Sequence, residues 1–205
     1  MLETLQWLGH VSFRIDGPPV VYIDPFRIGK GLPAADLLLI THEHSDHLSP
    51  DDIAKVCHPT TKIIGPDEVA ARLPDVEPIA AGELKTFSGV HVRAVPAYHV
   101  NKQFHPKATG KLGYLITIGG VTYYHAGDTD LIPEMAGLAP DVALLPVSGT
   151  YVMTADEAAD AARRIRPRVA VPMHYGSIIG SAADAQRFAA LLEGSGIEVV
   201  ILERE

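Results

Sequence analysis

The segment that most restricts this chain is Leu37 to Ser49, where a continuously apolar run, Leu37 to Thr41, empties into His42-Glu43-His44-Ser45-Asp46-His47. An apolar run without alternation suits a sheet strand covered on both faces, so the fold has to bury a sheet and carry polar groups at its end. Three imidazoles and a carboxylate within six residues are ligands for Zn(II), Mn(II) or Fe(II). An iron–sulfur cluster would need several thiolates, and Cys57 is the single cysteine. Six residues do not easily wrap one ion with all four groups. His42 and His44 can project in similar directions, which leaves Asp46 and His47 to reach a second point, as a two-metal hydrolytic centre requires.

The rest of the composition sets bounds. With 205 residues, 47% hydrophobic and 20% charged, the chain is globular rather than disordered. Size scaling gives roughly 9,000 Å² of folded surface against about 32,000 Å² unfolded, enough burial for one domain over 1–205 without disulfides. The formal charge of -8 supplies no overall field for nucleic acid or an anionic membrane. No apolar run approaches the ~20 residues of a membrane span, and no basic leader precedes one, so the expected compartment is the cytoplasm.

Along the chain, Leu5, Trp7, Val11, Phe13 and Ile15 alternate, and Pro18-Pro19 separates them from Val20 to Ile23 as in a hairpin. Ser49-Pro50-Asp51-Asp52 predicts a helix start, continuing to Val56. Lys62 to Ile64 reads as a strand, Asp67 to Arg72 as a short helix, and several strands follow between Val76 and Pro96. Tyr98 to Lys111 has no period and reads as a polar loop carrying His99, Asn101, Lys102, Gln103, His105 and Lys107. Gly119-Gly120 joins strands Tyr114 to Ile118 and Val121 to His125. The last third alternates: strand Val142 to Leu145, a helix from Thr154 capped with Glu157, strand Val169 to Val171, a helix from Ser181, and strand Ile197 to Leu202. The pattern predicts a two-halved sandwich with helices outside. His99, Asp128 and His174 fall near predicted strand ends, whereas His58 and His91 do not belong with them. His125 is expected beneath the site, and Cys57 as a small buried residue.

The His-x-His-x-Asp-His stretch, followed in order by His99, Gly127-Asp128-Thr129 and His174-Tyr175-Gly176, resembles the metallo-beta-lactamase superfamily. The resemblance spans nearly the whole chain. With Asp24-Pro25-Phe26 and the His174-Tyr175-Gly176 ending, it is most similar to a group of metal-dependent hydrolases related to the ascorbate-phosphate lactonase and the phospholipase D acting on N-acylethanolamine phospholipids. It implies an α+β fold, a four-layer αββα sandwich with metals at one edge of the sheets. His42, His44 and His99 would bind a first ion, and Asp46, His47 and His174 a second, with Asp128 bridging. Two divalent ions are implied, Zn(II) first and Mn(II) or Fe(II) as alternatives.

The resulting expectation is a hydrolase that applies a metal-bound hydroxide to a small ester, lactone or phosphoester. Asp46 is a metal ligand that can also accept a hydrogen bond from the attacking group. His10 is a candidate for contact with the leaving group or for holding a metal ligand from behind, and Tyr175 for donating to a developing oxyanion. Asp24 is placed to orient a metal-bound histidine through its second nitrogen, and His105 and Lys107 to form a cationic edge of the substrate loop. Arg27 to Pro33, Tyr98 to Lys111 and Ser148 to Met153 are expected to shape the pocket. Two rivals remain. A phosphodiesterase or nuclease is disfavoured by the acidic balance, so a small molecule rather than nucleic acid is the expected partner. A binding protein with a structural metal is disfavoured because seven candidate ligands exceed one closed tetrahedral site. A homo-oligomer is compatible with the sequence.

Overall fold

Strand alternation builds two mixed sheets, each antiparallel at its start and parallel at its end. A computed structural model describes residues 1–100 and 102–205; Asn101, a member of the polar loop, lies outside the described residues. The first sheet runs in chain order through β1 (Leu5–Gly9), β2 (Ser12–Ile15), β3 (Val21–Ile23), β4 (Leu37–Leu39), β5 (Lys62–Gly65) and β6 (Val76–Pro78). The second contains β7 (Leu84–Phe87), β8 (Val90–Pro96), β9 (Leu112–Ile118), β10 (Val121–His125), β11 (Val142–Pro146), β12 (Val169–Met173) and β13 (Glu198–Val199), again as sequential neighbours. Pairing turns parallel from β3 onward in the first sheet and from β10 onward in the second.

The period of two assigns each residue its layer. Leu37 and Leu39 enter the core between the sheets, while Leu38 and Ile40 face outward onto Ile53 and Val56 of α1 (Pro50–Val56) and Val69 of α2 (Asp67–Ala70). This is why the run reads as unbroken apolar. On the far side, α3 (Ala155–Ile165) and α4 (Ala182–Leu191) cover the second sheet with Ala158, Ala162, Ile165 and Phe188. Thr154 and Glu157 form the expected capping box. The architecture is therefore an α+β sandwich of four layers, αββα. Its folded surface is 8769 Å², close to the size expectation.

Two local features matter. The alternation from Leu5 to Ile15 breaks at the end of β1: Gly9 and His10 adopt φ of 109° and 53°, turning β1 back onto β2 and putting His10 at the turn. A Cβ on Gly9 would lie 2.9 Å from Arg204 Nε, so the turn also needs the space glycine leaves. At the other end, Ile197 to Leu202 pairs as a strand only over Glu198–Val199, at the sheet edge.

Residues just beyond β3, β4, β10 and β12, together with the β1–β2 turn, meet at one edge of the sandwich and bring Asp24, the His42–His47 segment, Asp128, His174 and His10 together. Among the described residues, no helix is long and apolar enough to cross a membrane.

Candidate metal centre

The centre begins with the chain end of β3. Asp24, fully buried with φ 45°, accepts the Thr41 backbone N–H at 2.8 Å and the Thr41 hydroxyl at 2.6 Å. Its Oδ2 lies 2.7 Å from His47 Nδ1, so His47 donates there and turns Nε2 inward. With the Thr41 hydroxyl committed to Asp24, its oxygen is left to accept from His42 Nδ1 at 3.0 Å. Ser148 Oγ lies 3.0 Å from His174 Nδ1. Each contact engages one ring nitrogen and leaves the other bare, the arrangement that orients metal-binding histidines.

Asp128 is the hub of the inward atoms. Its Oδ1 is 3.3 Å from His47 Nε2, and its Oδ2 is 3.3 Å from His174 Nε2 and 4.0 Å from His42 Nε2. All three imidazole nitrogens and Asp128 Oδ1 are buried without a hydrogen bond of ordinary geometry. Buried polar atoms are rarely left so, and bound cations would satisfy them. Three sets hold their ligand atoms within 4.8 Å of one another: His42, His44 and His105; His10, Asp46 and His174; His42, His47 and Asp128. Nitrogen-rich donors with added carboxylates fit divalent zinc, manganese or iron.

In this grouping His105, rather than the expected His99, has its ligand atom beside His42 and His44, while both ring nitrogens of His99 are also buried without a hydrogen-bond partner. The two rings stack face to face, centroids 4.4 Å apart and 2° from parallel, with His105 on the side of His42 and His44. His105 Nε2 is 3.3 Å from His44 Nδ1, while its Nδ1 faces the Asp128 carbonyl at 3.2 Å. After β8 the chain reverses and brings His105 back over His99, pinned by His99 N–H donating to the His105 carbonyl at 2.8 Å.

Other expected residues also move. Lys107 is exposed and bonded to Glu134 at 2.6 Å, so with His105 turned inward no cationic edge forms there. Tyr175 is packed in the core against Trp7, ring centroids 5.0 Å apart, and contributes no group to the centre. His10 Nε2 lies 3.2 Å from Asp46 Oδ2. His125 is buried beneath, bonded to the Val11 carbonyl and the Gly127 N–H. His58 and His91 bond to surface threonines.

Electrostatics follow the geometry. Burial opposes charge on His47, but Asp128 and Asp24 outweigh it and hold its pKa well above the usual value. Asp128, although buried, is held far below the carboxylate range by His174 and His47. Burial pushes His42 well down and His105 to about 4, favouring the neutral imidazoles a metal needs. Burial disfavours a charged Asp46, yet the His10 hydrogen bond and His47 bring it to about 2.

Several contributors carry no motif. Thr41 and Ser148 are ordinary strand-end residues in sequence; only their contacts mark them. Lys111, nearly buried, bonds both Glu43 and Glu68 and fixes the backbone between His42 and His44. Beside the centre opens a cavity of about 310 Å³, bounded by His105, Asp128 and His174 on one side and by Phe104, Tyr151 and Ile178 on the other. Phe104 and Tyr151 come from two segments expected to shape the pocket, Ile178 from one that was not. Arg27, from the third expected segment, instead bonds Ser177 at 3.3 Å.

Comparison with known proteins gives concordant results. The model of the Beta-lactamase superfamily domain matches residues 4–174. The chain is 37% identical to a UPF0173 metal-dependent hydrolase of Thermococcus kodakarensis, covering 97% of this chain and 96% of that one. A crystal structure from Parabacteroides distasonis, described as a candidate metal-dependent hydrolase, superposes with a TM-score of 0.90 at 34% identity, over 98% and 93% of the two chains. Igni18, a metallo hydrolase of Ignicoccus hospitalis, gives 0.81 at 28% identity, over 98% and 94%.

Proposed function

The chain belongs to the Beta-lactamase superfamily domain family as a metal-dependent hydrolase, and from that premise we propose a dinuclear centre, zinc first, that cleaves a small ester, lactone or phosphoester. His42, His44 and His105, whose ligand atoms cluster, would hold one ion; Asp46, His47 and His174, the set the family resemblance implies, would hold the other, with Asp128 beside both. The observation that carries this reading is the ring of buried, unsatisfied atoms around Asp128. Two such ions supply a water of lowered pKa and polarise the oxygen that gains charge.

The chain's own residues do the rest. Asp24 and Thr41 fix the tautomers of His47 and His42, and Ser148 engages Nδ1 of His174, so each ring turns Nε2 inward. Lys111 holds Glu43 and hence the spacing of His42 and His44. Asp46, partly open to solvent, has one oxygen toward His10 and is the carboxylate placed to accept a hydrogen bond from an incoming nucleophile. His10 acts as a positioning residue for Asp46. Asp128, with one oxygen toward His47 and the other toward His174 and His42, would hold metal together with these imidazoles.

The test is metal content by inductively coupled plasma mass spectrometry on protein purified without a chelating tag, beside a His42→Ala/Asp128→Ala variant. Two ions per wild-type chain, lost in the variant and accompanied by turnover in an ester, lactone and phosphodiester screen, is the expected result. One tightly held ion unaffected by the variant would overturn it.

A further inference from the structure

We propose that the cavity beside the metal centre is an acyl pocket, so that the preferred substrate carries an uncharged hydrocarbon group on the carbonyl side of the scissile bond. The inference rests on the hydrolytic reading above and deepens it. Among the described residues, large apolar side chains that are exposed are few, and three of them, Phe104, Tyr151 and Ile178, converge here from separate loops. Apolar surface left open beside a reactive centre marks a binding site more often than chance exposure does.

The convergence is built rather than incidental. Phe104 meets Tyr151 edge-on, ring centroids 5.2 Å apart at 84°. The loop carrying Ile178 closes through Gly176 N–H to the Gly180 carbonyl, and Gly180 (φ 74°) sits so near the Ser148 loop that a Cβ would lie 2.6 Å from Ser148 Cβ. Lys102 ties the Phe104 loop to the Tyr151 loop by bonding both Asp130 and the Val152 carbonyl. Three loops are thereby locked around one chamber whose floor is His105, Asp128 and His174.

Charge selects among substrates. Among the described residues no lysine or arginine lines the chamber; its ionisable groups are imidazoles and carboxylates of the metal centre and the Tyr151 phenol. A multiply anionic group such as a phosphate monoester would find no counter-charge there beyond the ions, whereas a hydrocarbon would cover the exposed rings. A second, larger groove shares His44, Ser45 and Asp46 with this cavity and reaches Arg72 and Leu73, which gives a departing group a path to water. The smaller cavity, with its apolar side chains, therefore suits the acyl part and the larger groove the leaving group.

Straight-chain carboxylates from acetate to decanoate test this directly, titrated by calorimetry into zinc-loaded protein whose metal content is measured in each variant. Wild type should bind each longer acid about threefold more tightly per added methylene until the chamber is filled. Phe104→Ser/Tyr151→Ser should flatten that series at unchanged metal content, and Leu84→Ser, exposed on β7, should leave it intact. Affinity independent of chain length in wild type, no binding of any acid, or a gradient that survives in the double variant would overturn the pocket. Hydrolysis of p-nitrophenyl esters, followed in parallel, separates the two readings. Graded binding without ester cleavage keeps the pocket and sinks the proposed ester hydrolysis. Equal cleavage of acetyl and octanoyl esters with ungraded binding sinks the pocket alone.

Discussion

Asp24 Oδ2 lies 2.7 Å from His47 Nδ1, and the same carboxylate takes both the N–H and the hydroxyl of Thr41. One buried group thus sets the end of β4 and the orientation of the histidine six residues beyond Thr41. Asp24→Asn retains the shape but replaces a charged acceptor with a neutral amide. Metal affinity is expected to fall roughly 10- to 100-fold. Competition with a chelator of known affinity measures it, and unchanged affinity would show that His47 needs no such partner.

His47 between Asp24 and Asp128 has a raised pKa, so the two carboxylates favour its protonated form when no metal is bound. A ligand imidazole must be neutral, and metal entry then displaces that proton. Loading should release protons at pH 7 and weaken as the pH falls. Calorimetry in buffers of different ionisation enthalpy counts them; no buffer dependence would contradict the assignment.

His105→Ala and His99→Ala should part company. The first removes the nitrogen beside His44 and is expected to lower the metal content by about one ion. The second removes a stacking surface behind it, costing stability while leaving stoichiometry intact. The opposite pattern in mass spectrometry would return His99 to the centre.

Asp52 anchors a different loop, accepting from the backbone N–H of Arg27 and Ile28, from Ser49 Oγ and from Lys55 Nζ at 2.6–3.1 Å. Burial alone would raise its pKa, but these donors lower it. Its contribution is therefore present above the unfolded carboxylate value and is lost as the pH falls through the lower folded value. Asp52→Ala should destabilise by about 2 kcal/mol at pH 7 and less in acid. Denaturant unfolding at both pH values reads the difference; an equal loss at each would remove the electrostatic account.

Gly127 has φ 64°, and a Cβ there would meet the Leu112 carbonyl oxygen at 2.5 Å. Gly127→Ala should cost roughly 2 kcal/mol or more and displace Asp128, the next residue. A melting curve and metal content unchanged from wild type would refute this.

Much of the molecule is legible in sequence because periodicity and motif order are local properties. Leu37 to Thr41 reads as a strand covered twice, Thr154 and Glu157 as a helix cap, and the His42–His47 segment as a metal-ligand cluster, each from neighbours in the chain. Tertiary structure decided what depends on how loops return. Tyr175 follows His174 by one residue yet packs against Trp7, and Phe104, Tyr151 and Ile178 are unremarkable in sequence but meet at one cavity. His105 rather than His99 faces His44 because a loop without periodicity reverses between them, and the closure of such a loop rests on contacts to distant residues, such as His105 to the Asp128 carbonyl, as well as on its own backbone.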